Sequence, residues 1–375
     1  MKANIAVFGL LAHGSLSLLF ARAETHGAFQ AVNANGTSAW AGGDSVTLVG
    51  VLLTDSGEML DSTPNFVPWN DGANIFNLGA EWQVAIQAVG ASDRGGTFLY
   101  MGQSYGNMPW LRSSDFSYTD EAWSAELGRL NHDMATGRAF RKGDLVSVTA
   151  ARSAFYGGKR NINETHEVEP TADFSVSLVI PDFGLPAPEV LSLASLVREN
   201  DNNTSTREDI FDRIRATGGE YWQGMRVRLT GLKLAATDGW NPNAPWSGRI
   251  VSATDEEGRI FNLRHPRQSL GSPPTGRFDA IGVLNQESGS GTDGTYGYEL
   301  FVQEIAPASE PVLGIANQLV ISWPGSLSNY QLQSRDSLSA NWLETTNAPA
   351  LWNGRNTVIQ NLEGDGKMFR LERVQ

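Results

Sequence analysis

GMRVRLTGLKL, Gly224–Leu234, is the stretch on which the fold of this chain turns. Met225, Val227 and Leu229 alternate with Arg226, Arg228 and Thr230, the period of a strand with one buried face. A second stretch, Gly43–Leu53 (GDSVTLVGVLL), repeats its pattern. Glycine stands at 43 and 224, valine at 46 and 227, leucine at 48 and 229, glycine at 50 and 231, and leucine at 53 and 234. An internal glycine in such a strand marks a bend or a close backbone approach. The match implies a small β unit built twice.

Working outward from the first copy, strand patterns fall at Ser45–Leu53, Glu81–Val89, Gly96–Gln103, Asp144–Phe155 and Phe174–Ile180. A helix is expected over Thr119–Leu130, with Thr119 and Asp120 supplying its cap. Five strands with a helix between the third and fourth is the order of an OB-fold barrel. Around the second copy the strands read Met225–Ala235, Gly248–Thr254, Arg259–Arg264, Arg277–Asn285 and Tyr296–Ile305. Before it, Ile210, Phe211 and Ile214 fall on one face of a helix expected over Arg207–Thr217. Ala306–Pro311 (APASEP) has the composition of a linker. Short strands then follow at 319–323, 329–335, 341–345, 356–362 and 368–373, enough for a small β-sandwich.

The chain has 375 residues, 41% hydrophobic and 18% charged, which is the balance of a globular protein. Its first residues read as a secretory signal: Met1-Lys2, the mostly apolar Ile5–Phe20, and Ala21-Arg22-Ala23 as a cleavage site. Removing them makes a net charge of −13 more negative still. That charge works against a nucleic-acid partner. No later apolar run is long enough to span a membrane. The sequence contains no cysteine, which excludes disulfides and thiolate metal sites and suits a bacterial exported protein. The expected location is outside the cell, in the periplasm or on the cell surface.

Two resemblances attach to these readings. The C-terminal stretch carries Ile321-Ser322-Trp323, Tyr330-Gln331-Leu332-Gln333, Leu338, Asn341-Trp342 and Phe369-Arg370-Leu371. It resembles a fibronectin-type-III-like module found on secreted proteins of environmental bacteria, which implies a role in surface association. The doubled unit is similar to OB-fold modules that accompany extracellular nucleases. Glu220–Leu234, with its aromatic pair, and the approach segment Glu189–Val197 carry that likeness. The expected organisation is therefore a signal peptide (1–23), two OB-like β-barrels (24–188 and 189–306) and a C-terminal β-sandwich (312–375). The chain is expected to be mainly β with few short helices.

Chemistry is sparse. The fingerprints of zinc proteases, serine hydrolases, P-loops and Rossmann sites are all missing. Neither a cofactor nor a metal site is expected; Asp201, Asn203, Ser205 and Asp212 echo a calcium loop, but Thr206 stands where that loop needs glycine. Phe155–Glu169 gathers Tyr156, Lys159, Arg160, Asn161, Asn163, Glu164 and His166 after a Gly-Gly turn. As a barrel loop these residues could bind a sugar or peptide, or could simply satisfy their own hairpin. Gly239–Trp246 (GWNPNAPW) sets Trp240 and Trp246 on one loop, either as a stacking face for carbohydrate or as plugs of a barrel end. Arg226, Arg228, Lys233, Arg249, Arg259, Arg264 and Arg267 make the second unit locally basic, which fits either a phosphate-binding stripe or a solvated outer face. The expected function is non-catalytic binding or surface association, with a polysaccharide or cell-surface component as partner. The alternatives are an accessory nucleic-acid-binding protein of an extracellular nuclease system and an extracellular hydrolase.

Overall fold

The computed structural model describes residues 23–374 apart from 44, 70–76, 91–92, 109–110, 164–173, 199–207, 215–216, 309–317, 325–326, 328, 336, 338, 346–347, 353–354 and 362–367. It divides into two compact units, Met1–Ser309 and Glu310–Gln375.

In the first unit a one-turn helix, α1 (His26–Phe29), precedes the first copy of the repeated strand, β1 (Val46–Leu52). Strands β2 (Glu81–Gln87) and β3 (Gly96–Gly102) follow, then α2 (Asp120–Leu130). Thr119 caps α2 by accepting a hydrogen bond from the Ala122 N–H. Trp123, Glu126 and Leu130, spaced along one face of α2, are buried. Trp123 and Leu130 join Trp82, Leu99 and Phe174 in one core.

The expected fourth strand, Asp144–Phe155, is divided at Ala151-Arg152 into β4 (Leu145–Ala150) and β5 (Ser153–Tyr156). The residues expected as a ligand loop form β6 (Lys159–Asn163), which runs parallel to β3. Phe174–Ile180, expected to close the barrel, is β7 and pairs with β4. The resulting seven-stranded sheet has the order β5-β6-β3-β2-β1-β4-β7. Among the described residues no pairing closes it into a ring. Polar composition hid β6 from the sequence reading: only Ile162 of KRNIN enters the core.

The second sheet starts with β8 (Glu189–Leu191), and the single-turn α3 (Gly219–Trp222) leads into β9 (Arg226–Leu234). Strands β10 (Ile250–Thr254), β11 (Ile260–Arg264), β12 (Phe278–Gln286) and β13 (Tyr298–Pro307) complete it. Here the ring does close. β9 pairs with β10, β10 with β11, β11 in parallel with β13, β13 with β12, and β12 with β9. This is a closed five-stranded barrel, with β8 added alongside β9.

The two glycines of the repeat do different jobs. Gly231 has a φ of +69° close to the register shift between β9 and β12, so it supplies a bend. A Cβ at Gly50 would lie 2.8 Å from the Gln87 carbonyl oxygen and 3.1 Å from His26 Nε2, so that glycine permits a close approach. The expected helix over Arg207–Thr217 is absent from its described residues. Arg198 and Ile210 instead donate backbone hydrogen bonds to Glu208 and Leu196, holding this segment extended, and Ile214 is 73% exposed.

The closed barrel and the first sheet share an interior. Leu53, Met59, Leu60, Ala85 and Phe98 pack with Val283 and Phe301, and the Phe98 and Phe301 rings meet edge to face at 5.7 Å. Backbone hydrogen bonds cross the junction from Gly96 to Gln223 (3.0 Å) and from Arg267 to Glu58 (2.8 Å). Gln303 Nε2 donates to the Leu53 carbonyl at 2.7 Å and to Glu58 at 2.9 Å.

The C-terminal unit has strands β14 (Gln318–Pro324), β15 (Tyr330–Arg335), β16 (Leu343–Glu344), β17 (Ala350–Trp352), β18 (Arg355–Asn361) and β19 (Met368–Arg373). They form two three-stranded sheets, β14-β18-β17 and β16-β15-β19. Trp323, Leu332 and Val358 make a core drawn from both sheets. The short β17 has no counterpart among the strands expected from sequence.

Candidate binding surface

The connection from β9 to β10, residues 235–249, carries both tryptophans of the GWNPNAPW stretch. Gly239 makes the turn possible: its φ is +90°, and a Cβ there would fall 2.2 Å from the Ile250 carbonyl oxygen. Trp240 is half-buried. Its Nε1–H donates to the Gly271 carbonyl at 2.9 Å, and its ring meets His265 edge to face at 4.9 Å. These contacts fix the indole at one end of the closed barrel. The outer face of β10 and β11, the strands that follow this connection, presents Ser252, Thr254 and Asn262.

Trp246 has different surroundings. The Arg264 guanidinium lies over its ring at 3.7 Å, and Phe301 meets it edge to face at 5.7 Å. It therefore belongs to the interior shared by barrel and sheet. Beneath it Arg264 pairs with Glu299, with Nε 3.0 Å from each carboxylate oxygen and a closest approach of 2.8 Å. Burial pushes the Glu299 carboxyl upward, against the pull of Arg264. Burial also lowers Arg249, to about 10, with Arg264 and Arg267 adding to the effect.

The residues following the Gly-Gly turn are built into the junction. Lys159 Nζ reaches the Gln286 carbonyl and Glu287 Oε1, each at 2.5 Å. The Arg160 guanidinium donates to Ser153 and Ser38 at 2.8 and 3.1 Å, while its backbone is bridged by the Gln30 amide. Asn161 is half-buried on β6, and Asn163 ends that strand. Tyr156 is 55% exposed and donates to the Gly289 carbonyl at 3.2 Å. Glu164 and His166 lie outside the described residues, as do Asp201, Asn203 and Ser205. The carboxylate of Asp212 accepts hydrogen bonds from the Ile214 N–H and the Thr217 hydroxyl.

The basic residues of the second sheet have partners too. Arg228 pairs with Asp279 at 2.7 Å, Arg259 with Asp255 at 2.9 Å, and Arg267 with Asp61 at 2.7 Å. Arg226 donates to the Pro186 carbonyl at 3.1 Å, and Arg249 to the carbonyls of His265 and Met59. Sequence reading saw the arginines but not their carboxylates. Asp279 and Glu299 each stand second in their strand, far from their partners in the chain.

One carboxyl is displaced far enough to couple folding to pH. Glu220 accepts a hydrogen bond from Tyr298 Oη at 3.1 Å, and burial raises it to about 8 although that bond pulls the other way. An acid whose folded value lies above its unfolded value, about 4.3, gives most stability below that unfolded value. The contribution is lost as pH rises toward 8. Glu220→Gln should therefore raise the melting temperature relative to the parent at pH 8 by several degrees, with the difference shrinking toward pH 5. Thermal unfolding at the two pH values checks this.

No family model and no curated protein matches this chain. Nine chains of solved structures do. One belongs to a replication protein A heterotrimer bound to single-stranded DNA, an OB-fold protein. The likeness spans 62% of this chain and 40% of that one, at 10% identity and a TM-score of 0.22. At that identity it concerns the fold alone, and no argument about what this chain binds rests on it.

Proposed function

We propose that this is an exported, non-catalytic binding protein that holds a polysaccharide against the closed barrel, with Trp240 as its stacking face. The observation that carries the reading is the fixing of the Trp240 ring, by Gly271 and His265, on the connection between the first two strands of the ring. OB-fold barrels bind oligosaccharides with that connection and with the face of the second and third strands. An indole held in place loses little freedom when a sugar stacks on it, and Ser252, Thr254 and Asn262 on the outer face of β10 and β11 offer hydrogen bonds to hydroxyls.

The pairing of Arg228, Arg259, Arg264 and Arg267 with carboxylates weighs against the nucleic-acid alternative, because a phosphate backbone would have to displace those partners. The strand order of the C-terminal unit follows strands B, E, D and C′, C, F of an immunoglobulin-like sandwich. That order supports the fibronectin-type-III-like reading of this module, with which the surface-association role goes. Export rests on the leader pattern; the chain is hydrogen-bonded into the fold from Glu24, whose N–H donates to the Thr47 carbonyl at 2.8 Å.

Retention on a panel of insoluble polysaccharides, cellulose, chitin and xylan among them, tests the proposal. Retention of the parent on at least one, reduced about tenfold by Trp240→Ala, is the expected result; tenfold corresponds to about 1.4 kcal/mol, within the range of one aromatic contact. Equal retention of both proteins would sink the stacking site.

A further inference from the structure

A second place in the molecule has the form of a ligand site, and it lies well apart in sequence from the Trp240 loop. Where β1 ends and β2 begins, beside the C-terminus of α2, the first sheet holds a half-open cavity of about 170 Å³. Its floor is apolar and buried: Leu52, Trp82, Val84, Leu130 and Val176. The buried polar groups beside that floor are already satisfied: Trp82 Nε1–H donates to Asn131 Oδ1 at 2.9 Å, and Thr54 Oγ1 accepts from the Ala85 N–H at 2.8 Å. A molecule entering the floor therefore meets no unpaired dipole, and it displaces water from carbon alone. The volume is close to that of an apolar protein cavity known to take benzene, about 150 Å³.

The rim is different. Asn131, His132 and Arg141 stand on it. His132 Nδ1 faces the Gly128 carbonyl at 2.9 Å. The other rim charge, Asp55, is met by Lys142 at 3.6 Å, and the same ammonium holds Glu58 at 2.6 Å. Arg141 is exposed, and among the described residues its guanidinium has no carboxylate partner. Its neighbours in sequence behave otherwise: Arg129 is paired with Glu126 and Arg138 with Asp144.

We propose that this cavity binds a small single-ring aromatic carboxylate, its ring in the Trp82 floor and its carboxylate on the Arg141 fork. The apolar volume sets the ring, and a planar guanidinium on one side of the mouth matches a planar carboxylate in two parallel hydrogen bonds. A sugar would leave its hydroxyls facing carbon on the floor.

The test is a titration of the full chain with benzoate, followed by the NMR signals of the Trp82 indole N–H and the Asn131 and His132 amides. Benzyl alcohol (ring without charge) and acetate (charge without ring) serve as comparison ligands. Saturable shifts with benzoate are expected, with benzyl alcohol about tenfold weaker and acetate inert. Arg141→Gln should bring benzoate down to the benzyl alcohol level. Ala139→Trp, at an exposed rim position, should block both ring compounds. Both substitutions lie at exposed positions, so the fold is retained and a loss of binding reads as loss of the site. No saturable shift up to the solubility limit, benzoate and benzyl alcohol binding equally, or unchanged benzoate binding in either variant would overturn the proposal.

Discussion

Arg264→Ala should destabilise the folded chain by about 3–5 kcal/mol, because it leaves one partner of a buried pair without the other. The side chains of Arg264 and Glu299 are only 4% and 5% exposed. Without the guanidinium, the Glu299 carboxyl keeps, among the described residues, only the Asn285 amide, at 3.1 Å, as a hydrogen-bond donor. The same substitution strips the nearer of two cations from the face of Trp246, leaving Arg249 at 5.5 Å, and removes a 2.7 Å hydrogen bond to its carbonyl. Burial already raises the Glu299 carboxyl with Arg264 in place. Losing the arginine raises it further, so the acid folds best when protonated. Stability of the variant should accordingly fall as pH rises above the ordinary carboxyl range, and the loss should be larger at pH 8 than at pH 5. Denaturant unfolding at both pH values measures this. The double substitution Arg264→Met with Glu299→Leu should recover most of the loss, since two apolar side chains need no partner. A single variant as stable as the parent would show that the pair does not hold the junction.

Gly224→Ala should be the second severe change, and Gly43→Ala supplies its control. Both glycines open a copy of the repeated strand and both have positive φ, +70° at Gly224 and +80° at Gly43. Alanine pays about 1–2 kcal/mol for that conformation at either site. Around Gly43 nothing lies within 4 Å of the added Cβ, so its cost should end there. At Gly224 the Cβ would fall 2.5 Å from the carbonyl carbon of Gly96 and 2.6 Å from its Cα. The two backbones cross at that point, with Gly96 N–H donating to the Gln223 carbonyl at 3.0 Å and Gly224 N–H to Leu284 at 2.8 Å. Neither strand can move away without breaking these bonds. Gly224→Ala should cost at least about 3 kcal/mol, combining backbone strain with overpacking. Equal losses in the two variants would mean that backbone conformation alone matters there.

The closed barrel was legible because its strands are local patterns. β9, β10 and β11 alternate, turn residues separate the strands, and all five lie close to the bounds expected from sequence, although β12 is buried along its whole length. The first sheet was harder to read, for a physical reason. In β6, KRNIN carries a buried polar side chain where a core residue would be expected: Lys159 meets Glu287, just past the end of β12. A strand whose outer face is covered by a charged partner loses the alternation on which sequence reading depends. The missing helix before β9 failed in the opposite way. Its apolar spacing was real, but backbone pairing with residues 196–198 took the segment first. Of the candidate site, the residue types were visible and their partners were not. Nothing within GWNPNAPW tells that Trp246 lies under Arg264 while Trp240 lies against His265. Both rings are half-buried, and long-range pairing decides which partners each one meets.

The central claim is that division of labour, and one side-by-side measurement tests it: polysaccharide retention and melting temperature for Trp240→Ala and Trp246→Ala. The account predicts that Trp240→Ala loses retention while melting close to the parent, and that Trp246→Ala melts several degrees lower yet still binds when folded. Retention lost in Trp246→Ala and kept in Trp240→Ala would contradict it.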